Sequence, residues 1–534
     1  MNKLYYLFVL LGLILYTEDS KCQPKCFFEH YGAEDGLPQH TVMDILQDQK
    51  GFMWFSTWNG LCKFDGYNFT TYKIQDGDSY HMMSNRIDHI VNDKYGYIWT
   101  LSYDNEAHRF DPKTERFMGL RSIKEYKDLT FNATRIAPMK SGKVWLLSEK
   151  MGAVCITDST FKVEIFDTNN KKIQNNKINE VYEDESLQSW ILTENGLYSL
   201  TPDMSTPKAY FLDKNTSAIK PQAFFSAQEI DDEIWFGSNK GKIWRYDKNN
   251  RSFLPFDTGI SSDISKIKRI DKNLVLIINN GQGFCIYNKN SNELDKYNKT
   301  NTPNLRSNTI ISSYIDKNKN IWFEMDLLGV SKFNITTKQI KHFEMKIESA
   351  ISNVFPPNFF IFEDKADHLY VHLRGGGFGY YDPLTDQLIP FYNEPSSPSW
   401  RFSNMLHSGF SDRQGNLWLS TRSHGLEKII FNNSVFRSTL IDTDTHSTIN
   451  NDVRSIFEDS YQRLWVSTKG GKIMIYDADL TPIGYMCANG KIGTGTPLSG
   501  ISYSITEDHE KNIWIGTKGD GVYKLIKTSD PKSY

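Results

Sequence analysis

Five tryptophans, Trp54, Trp99, Trp145, Trp190 and Trp235, follow one another at intervals of 45 or 46 residues, and Trp322, Trp418, Trp465 and Trp514 continue the series. The gaps from Trp235 to Trp322 and from Trp322 to Trp418 are each close to two periods. The skipped copies are visible as "KNLVLIINNGQGFCIYN" around Val275 and "DHLYVHLRGGGFGYYDP" around Tyr370, which keep the frame without the indole. The chain therefore holds eleven copies of one unit. A period of this size belongs to stacked or radial repeats, in which a unit that cannot hide its own apolar faces is completed by its neighbours.

Each copy reads as four short strands. The first alternates apolar and polar residues, as in "TVMDILQD" and "DVRSIFED". A tight turn of the Asp-x-x-Gly kind follows: "DQKG", "DKYG", "DRQG". The second strand carries the tryptophan ("FMWFST", "NLWLST", "NIWIGT"), a short turn leads to the third ("GLCKFD", "GVYKLI"), and the fourth has an aromatic near its end ("NFTTY", "IKHF"). Period-2 alternation between turn residues predicts antiparallel meanders, and four strands per radial repeat predict an all-β chain of the β-propeller type. The recurrent Trp, Asp and Gly residues are structural in this reading: the indoles fill the space between successive sheets and the turns reverse the chain.

At 534 residues the chain exceeds one ordinary domain. Eleven copies predict one seven-bladed ring over residues 26–345 and an incomplete second ring of about four blades over residues 346–534, the eleventh ending near Leu525. An arc of four blades leaves faces open to water, so a homodimer, or packing through the open second ring, is expected. The stretch "CFFEHY" (residues 26–31) reads as a fourth strand with no preceding three. It suits a clasp on the last blade of the first ring, in competition with "KQIKHF" (338–343); "NVFPPN" suits a linker between rings.

At the N-terminus, Lys3 precedes an apolar run from Leu4 to Tyr16, short for a membrane span. Residues 1–22 are expected to be a signal peptide, with a retained anchor as the alternative. Lys+Arg (61) nearly balances Asp+Glu (64), which gives no reason to expect nucleic acid as a partner. Cys62, Cys155 and Cys285 follow glycines in apolar strands and read as buried thiols acting as small hydrophobes; a Cys22–Cys26 bridge is open if both survive processing. No cofactor and no metal site is expected.

The turns between second and third strands share one face and differ most between copies, which is where specificity usually resides. Trp58, Tyr103, Asp104, Arg374, Arg422 and His424 are the candidate ligand-binding residues there: aromatics stack on the apolar face of a sugar, and arginine pairs with a uronate or sulfate. Trp400 in "NEPSSPSW" is a weaker candidate. Glu149, Glu194, Asp326 and Asp520 occupy loops where a hydrolase would place carboxylates, but no pair stands out.

The stretch "GLPQHTVMDILQDQKGFMWFSTWNGLCKFDGYNFTTY" (36–72) resembles the two-component regulator propeller repeat, in the order of its entry phrase Asp35-Gly36-Leu37-Pro38, its Asp-x-x-Gly-Phe-x-Trp turn and its Gly-Leu-x-x-Phe-Asp-Gly strand. The resemblance covers nearly all of residues 27–527. It implies the periplasmic sensor region of a hybrid two-component system of Bacteroidetes, in which propellers precede a Tyr-rich domain, a membrane helix and a histidine kinase. It further implies recognition of oligosaccharides from glycan breakdown, contact with the membrane only through downstream segments, and no catalysis by this region itself. The chain departs from that plan in its number of blades and in lacking the later domains, as a fragment, a truncated product or a free-standing relative would. A propeller hydrolase or lyase and a protein-interaction scaffold are the alternatives.

Overall fold

The computed structural model describes residues 26–73, 84–157, 159–202, 206–211, 222–344, 359–364, 367–373, 377–391, 406–431, 441, 448–530 and 532–534. The expected signal peptide, Cys22, the linker "NVFPPN", Arg374 and Trp400 lie outside these residues. Among the described residues the strands form eleven sheets, numbered here in chain order by their inner strands: sheets 1 to 9 begin at Val42, Ile87, Arg135, Ile178, Phe224, Ile264, Ile310, Phe360 and Leu406, and sheets 10 and 11 at Val453 and Ile501. Neighbouring strands within every sheet pair antiparallel, as the meander pattern requires. Among the described residues no helix is long and apolar enough to cross a membrane.

The repeat is held together by a carboxylate that does two tasks. In sheet 1, Asp48 Oδ1 accepts the N–H groups of Lys50 and Phe52, closing the turn, while Oδ2 accepts the indole N–H of Trp54 at 2.9 Å. The same indole bond joins Asp93 to Trp99, Asp184 to Trp190, Asp316 to Trp322, Asp412 to Trp418, Asp459 to Trp465 and Asp508 to Trp514. A buried indole N–H is usually given an acceptor, so in these sheets Asp six residues before Trp is a single unit and not merely a turn signal; in sheet 3, where Met139 holds that place, the buried Trp145 N–H has no partner among the described residues. Sheet 8 keeps the arrangement with a substitute, the Tyr370 hydroxyl donating to Asp364 at 3.2 Å. Sheet 5 uses Glu233 as the acceptor for Trp235.

Each tryptophan of the series except Trp514 enters the face of the next sheet. Trp54 packs with Ile87, Ile90 and Phe110 of sheet 2, Trp99 with Phe161 of sheet 3, Trp190 with Phe236 and Tyr246 of sheet 5, and Trp322 with Leu369 and Val371 of sheet 8. These indoles are 0% exposed. Large aromatics stacked this way give the core its cohesion without helices. Cys62, Cys155 and Cys285 are buried in the same strands, and burial pushes the Cys62 and Cys285 thiols up to about 12, so they stay protonated hydrophobes.

The chain divides into two compact units, residues 1–432 and 433–534. The first holds nine sheets and the second two, where the expectation was seven and four with the boundary at 345/346. The strand Cys26–Tyr31 explains the shift. It pairs along its whole length with Leu426–Phe431, as the outer strand of sheet 9, while Gln339–Phe343 stays the fourth strand of sheet 7. Side chains fix this choice: Lys428 pairs with Glu29 at 2.7 Å, His30 Nδ1 lies 2.8 Å from Glu427, and Tyr31 stacks on Trp418. The turn glycines agree. A Cβ on Gly60 would lie 2.6 Å from the Tyr72 carbonyl oxygen, and one on Gly425 would lie 2.1 Å from that of Tyr31, so Tyr31 occupies in sheet 9 the place that Tyr72 occupies in sheet 1. Trp418 in turn packs with Val42, Phe55 and Phe64 of sheet 1.

The second unit contains sheet 10, extended by a fifth strand at Ile492–Gly493, and the three-stranded sheet 11. Trp465 packs into sheet 11 with Ile505, Ile513 and Ile515, and Tyr534 closes over it, its ring 5.7 Å away.

Candidate functional site

Nearly every sheet has a bulge in its inner strand, at the residue between Val42 and Asp44 in sheet 1, Ile87 and His89 in sheet 2, and Leu406 and Ser408 in sheet 9. A bulge re-aims the side chains beside it. Asp44 thereby joins three sheets: it accepts from the Ser408 hydroxyl at 3.2 Å and from the Ile90 N–H at 3.2 Å, and pairs with His89 at 2.5 Å. Glu180 and Lys266, the residues after the bulges of sheets 4 and 6, meet at 3.7 Å past the intervening sheet 5. The strand facing each bulge carries a small residue in several copies, Ser56, Gly237, Ser420, Ser467 and Gly516, which accounts for the "ST" and "GT" endings of the tryptophan strands.

The turns of sheets 9, 1 and 2 are tied together at one edge by the links between sheets. The Thr41 hydroxyl donates to the Arg422 carbonyl, Gly425 N–H donates to His40, and Trp58 N–H donates to Thr41. One sheet on, Gly60 N–H donates to Asn85 and Tyr103 N–H donates to Arg86. Thr57 shapes the first of these turns by accepting from Asn59 N–H and donating to the Gly60 carbonyl.

On this frame the Arg86 guanidinium lies over two rings, 4.6 Å from the centre of Trp58 and 4.1 Å from that of Tyr103. Arg86 Nε donates to Asp88 at 3.0 Å, which orients the group. Tyr103 is 63% exposed, and the indole nitrogen of Trp58 is buried with no hydrogen-bond partner. His407, at the sheet 9 bulge, feels this cluster: desolvation first, then the charges of Arg422 and Arg86, hold its pKa below the usual imidazole value, while Asp88 pulls the other way. Two arginines, one aspartate, a neutral imidazole and two aromatic faces thus make a weakly cationic, aromatic-lined edge. Such an edge can stack on a flat apolar ring and accept a negative or oxygen-rich group beside it.

Of the sequence candidates, Trp58 and Tyr103 come together around one arginine, and Arg422 lies near them through His407 and Thr41. Asp104 serves its own turn, accepting from the Ser102 hydroxyl at 2.5 Å. His424 is exposed and bonds Ser423. Arg86, Asp88 and His407 escaped sequence reading. They sit in the links and bulges, not in the variable turns; the signal was that links share the face of those turns. Of the loop carboxylates, Glu194 is taken up by Lys177 at 2.8 Å, and Asp326 accepts from the Ser307 hydroxyl.

Residues 36–59, 447–470 and 497–519 match the family described as two component regulator propeller. Histidine kinase P4 of Formosa agariphila is 38% identical over 73 residues, 14% of this chain and 5% of that protein. Among solved structures, the extracellular domain of the hybrid two-component system BT3049 from B. thetaiotaomicron aligns over 94% of this chain and 65% of its own, at 20% identity and a TM-score of 0.36. The extracellular domain of BT4673 from the same organism aligns over 94% and 66%, at 19% identity and a TM-score of 0.36. The chain thus spans just under two thirds of these solved chains and a small part of the kinase. The three matched stretches lie in sheet 1 of the first unit and in sheets 10 and 11 of the second.

Proposed function

We propose that this chain is an exported, ligand-sensing region of a two-component signalling system, and that oligosaccharides bind at the edge where sheets 9, 1 and 2 meet. The repeats matched at residues 36–59, 447–470 and 497–519 support the signalling context. The observation that carries the binding reading is the Trp58–Arg86–Tyr103 cluster, with an exposed tyrosine ring and a guanidinium oriented by Asp88. In this reading the nine sheets of the first unit form a closed ring, with Cys26–Tyr31 as its clasp and Trp418 as its last inter-sheet wedge. Ligand stacking on Tyr103 and Trp58 would bridge sheets 1 and 2 and favour one arrangement of those sheets over another, which is all a sensor needs to bias a downstream segment.

Titration calorimetry of the purified chain against neutral, uronate-bearing and sulfated oligosaccharides tests this. The reading predicts binding to at least one class, weakened about 30-fold or more by Tyr103→Ala together with Trp58→Ala, as for buried aromatic anchors elsewhere. Binding that persists unchanged in that double variant would place the ligand elsewhere. Absence of binding across all three classes would remove the oligosaccharide from the proposal.

A further inference from the structure

Two arginines of the first unit show how this fold uses a guanidinium for structure. Arg109 lies over Tyr97 and Phe161, 4.1 and 4.8 Å from the ring centres, and is 7% exposed. Its Nη1 donates to the Ser159 carbonyl at 2.8 Å. Arg413 gives Nε to the Gln47 side chain, Nη1 to the Gln49 carbonyl and Nη2 to the Asp48 carbonyl, which fastens sheet 9 to the Asp-turn of sheet 1. In both, terminal donors are spent inside the protein.

Arg86 is held as firmly and spends less. Its backbone is pinned on both sides, the N–H donating to Ser84 Oγ at 3.1 Å and the carbonyl accepting from Tyr103 N–H at 3.0 Å. Trp58 and Tyr103 hold the guanidinium by its faces, and Asp88 holds it by Nε. Stacking occupies the faces of a guanidinium and leaves its in-plane N–H donors available. Asp88 takes the donor on Nε, which leaves those on the two terminal nitrogens. Among the described residues no acceptor meets these nitrogens, and the side chain is 33% exposed, so they face solvent from a fixed position. Arg422 and Arg86 act together on His407, against Asp88 alone, so the edge carries an excess of positive charge. Asp104, in the Tyr103 turn, is taken up by the Ser102 hydroxyl and the Glu106 N–H.

We propose that Arg86 makes this edge selective for acidic saccharides. Its two terminal nitrogens receive the paired oxygens of a sugar carboxylate or sulfate ester as a fork, beside the exposed ring of Tyr103. The assignment rests on the oligosaccharide reading of the same edge and names the class of sugar. A neutral hydroxyl brings neither the charge nor the second oxygen, so it gains less from the same group. A guanidinium already ordered by its neighbours loses little freedom when it binds, which favours the fork over a mobile ammonium. Asp88 is the positioning residue: by engaging Nε it turns the terminal pair away from its own carboxylate.

An array of neutral, uronate-bearing and sulfated oligosaccharides, probed with the full chain, supplies the ligand. Titration calorimetry then compares that ligand with its own neutral counterpart, made by reducing carboxylates to alcohols or by removing sulfates. The parent chain is expected to retain acidic members and to bind them about 30-fold or more tighter than the neutral counterpart. The treatment that abolishes the preference tells carboxylate from sulfate. Arg86→Lys keeps the charge without the fork and is expected to lower the ratio to about 5-fold; Arg86→Gln keeps neither and brings it near unity. Melting curves verify that each variant folds as the parent does, and Arg86→Lys carries the test where Arg86→Gln does not fold. Retention of neutral members only overturns the proposal and leaves the oligosaccharide reading in place. So does a ratio that the Arg86 variants leave unchanged, the result expected of an arginine that merely props two rings. Retention of no member removes the oligosaccharide reading itself, and this assignment with it.

Discussion

Trp418 and Trp514 are the same residue in the same motif, "NLWLST" and "NIWIGT", and their surroundings differ in one respect. Both indoles donate to the aspartate six residues before them, and both carry a lysine over the ring. Trp418 packs on sheet 1 and is 2% exposed; Trp514, in the last sheet of the described residues, is 37% exposed. The local unit is thus built by its own residues, while its burial is supplied by the neighbour. The difference separates what a repeat encodes from what an array adds.

The largest expected effect comes from removing each indole in turn. Trp418→Ala leaves a cavity between sheets 9 and 1 and is expected to cost about 3–5 kcal/mol. Trp514→Ala is expected to cost the isolated chain only about 1 kcal/mol, as partly exposed sites do. Chemical denaturation of both variants measures the gap, and equal losses would erase the contrast.

Next in size is the clasp. Phe28 packs with Tyr370, Phe391 and Leu417 around sheets 8 and 9, and Phe28→Asp puts a charge into that cluster. Hydrogen exchange is expected to show residues 26–31 and 426–431 losing protection together while 339–343 keep theirs. Loss at 339–343 instead would restore the seven-sheet grouping.

Smaller again is the aspartate. Asp412→Ala leaves the buried Trp418 N–H without an acceptor and is expected to cost about 1–3 kcal/mol. Asp508→Ala is expected to cost less, because water reaches Trp514. Asp508 is held well below the usual carboxylate range, chiefly by the Trp514 indole. The stabilisation it brings is therefore present above the ordinary carboxylate pKa and is lost only as pH falls through the depressed value.

The smallest effect concerns His89, whose pKa is raised above 6.5 by its hydrogen bond to Asp44. A raised folded-state value means that the pair stabilises fully below pH 6.5 and ceases to do so as pH rises through the raised pKa. With the ring about half exposed the effect on stability is slight. NMR titration of His89 in the parent chain and in Asp44→Asn is expected to show the shift disappear.

Sequence reading reached the sheets because each is written locally: alternation for the inner strand, Asp and Gly for the turn, Trp for the wedge. It reached Trp58 and Tyr103 because equivalent turns in successive copies share a face. It could not reach the grouping of sheets. Whether "CFFEHY" pairs with residues 330–334 or with 426–431 depends on how many sheets intervene before the chain returns, and no short window holds that number. Pairs such as Lys428–Glu29 decide it, between residues about 400 apart in sequence. Arg86 was missed for a related reason: it lies in a link whose side-chain direction is set by the bulge at Ile87 and His89.

The account rests on each indole being sheltered by the sheet that follows it. Fluorine NMR of the chain labelled with 5-fluorotryptophan, with a soluble paramagnetic agent added at low protein concentration, measures that shelter residue by residue. Of the nine tryptophans in the series, eight are predicted to resist the agent and Trp514 alone to broaden. Broadening of Trp418 to the same degree as Trp514 would contradict the account.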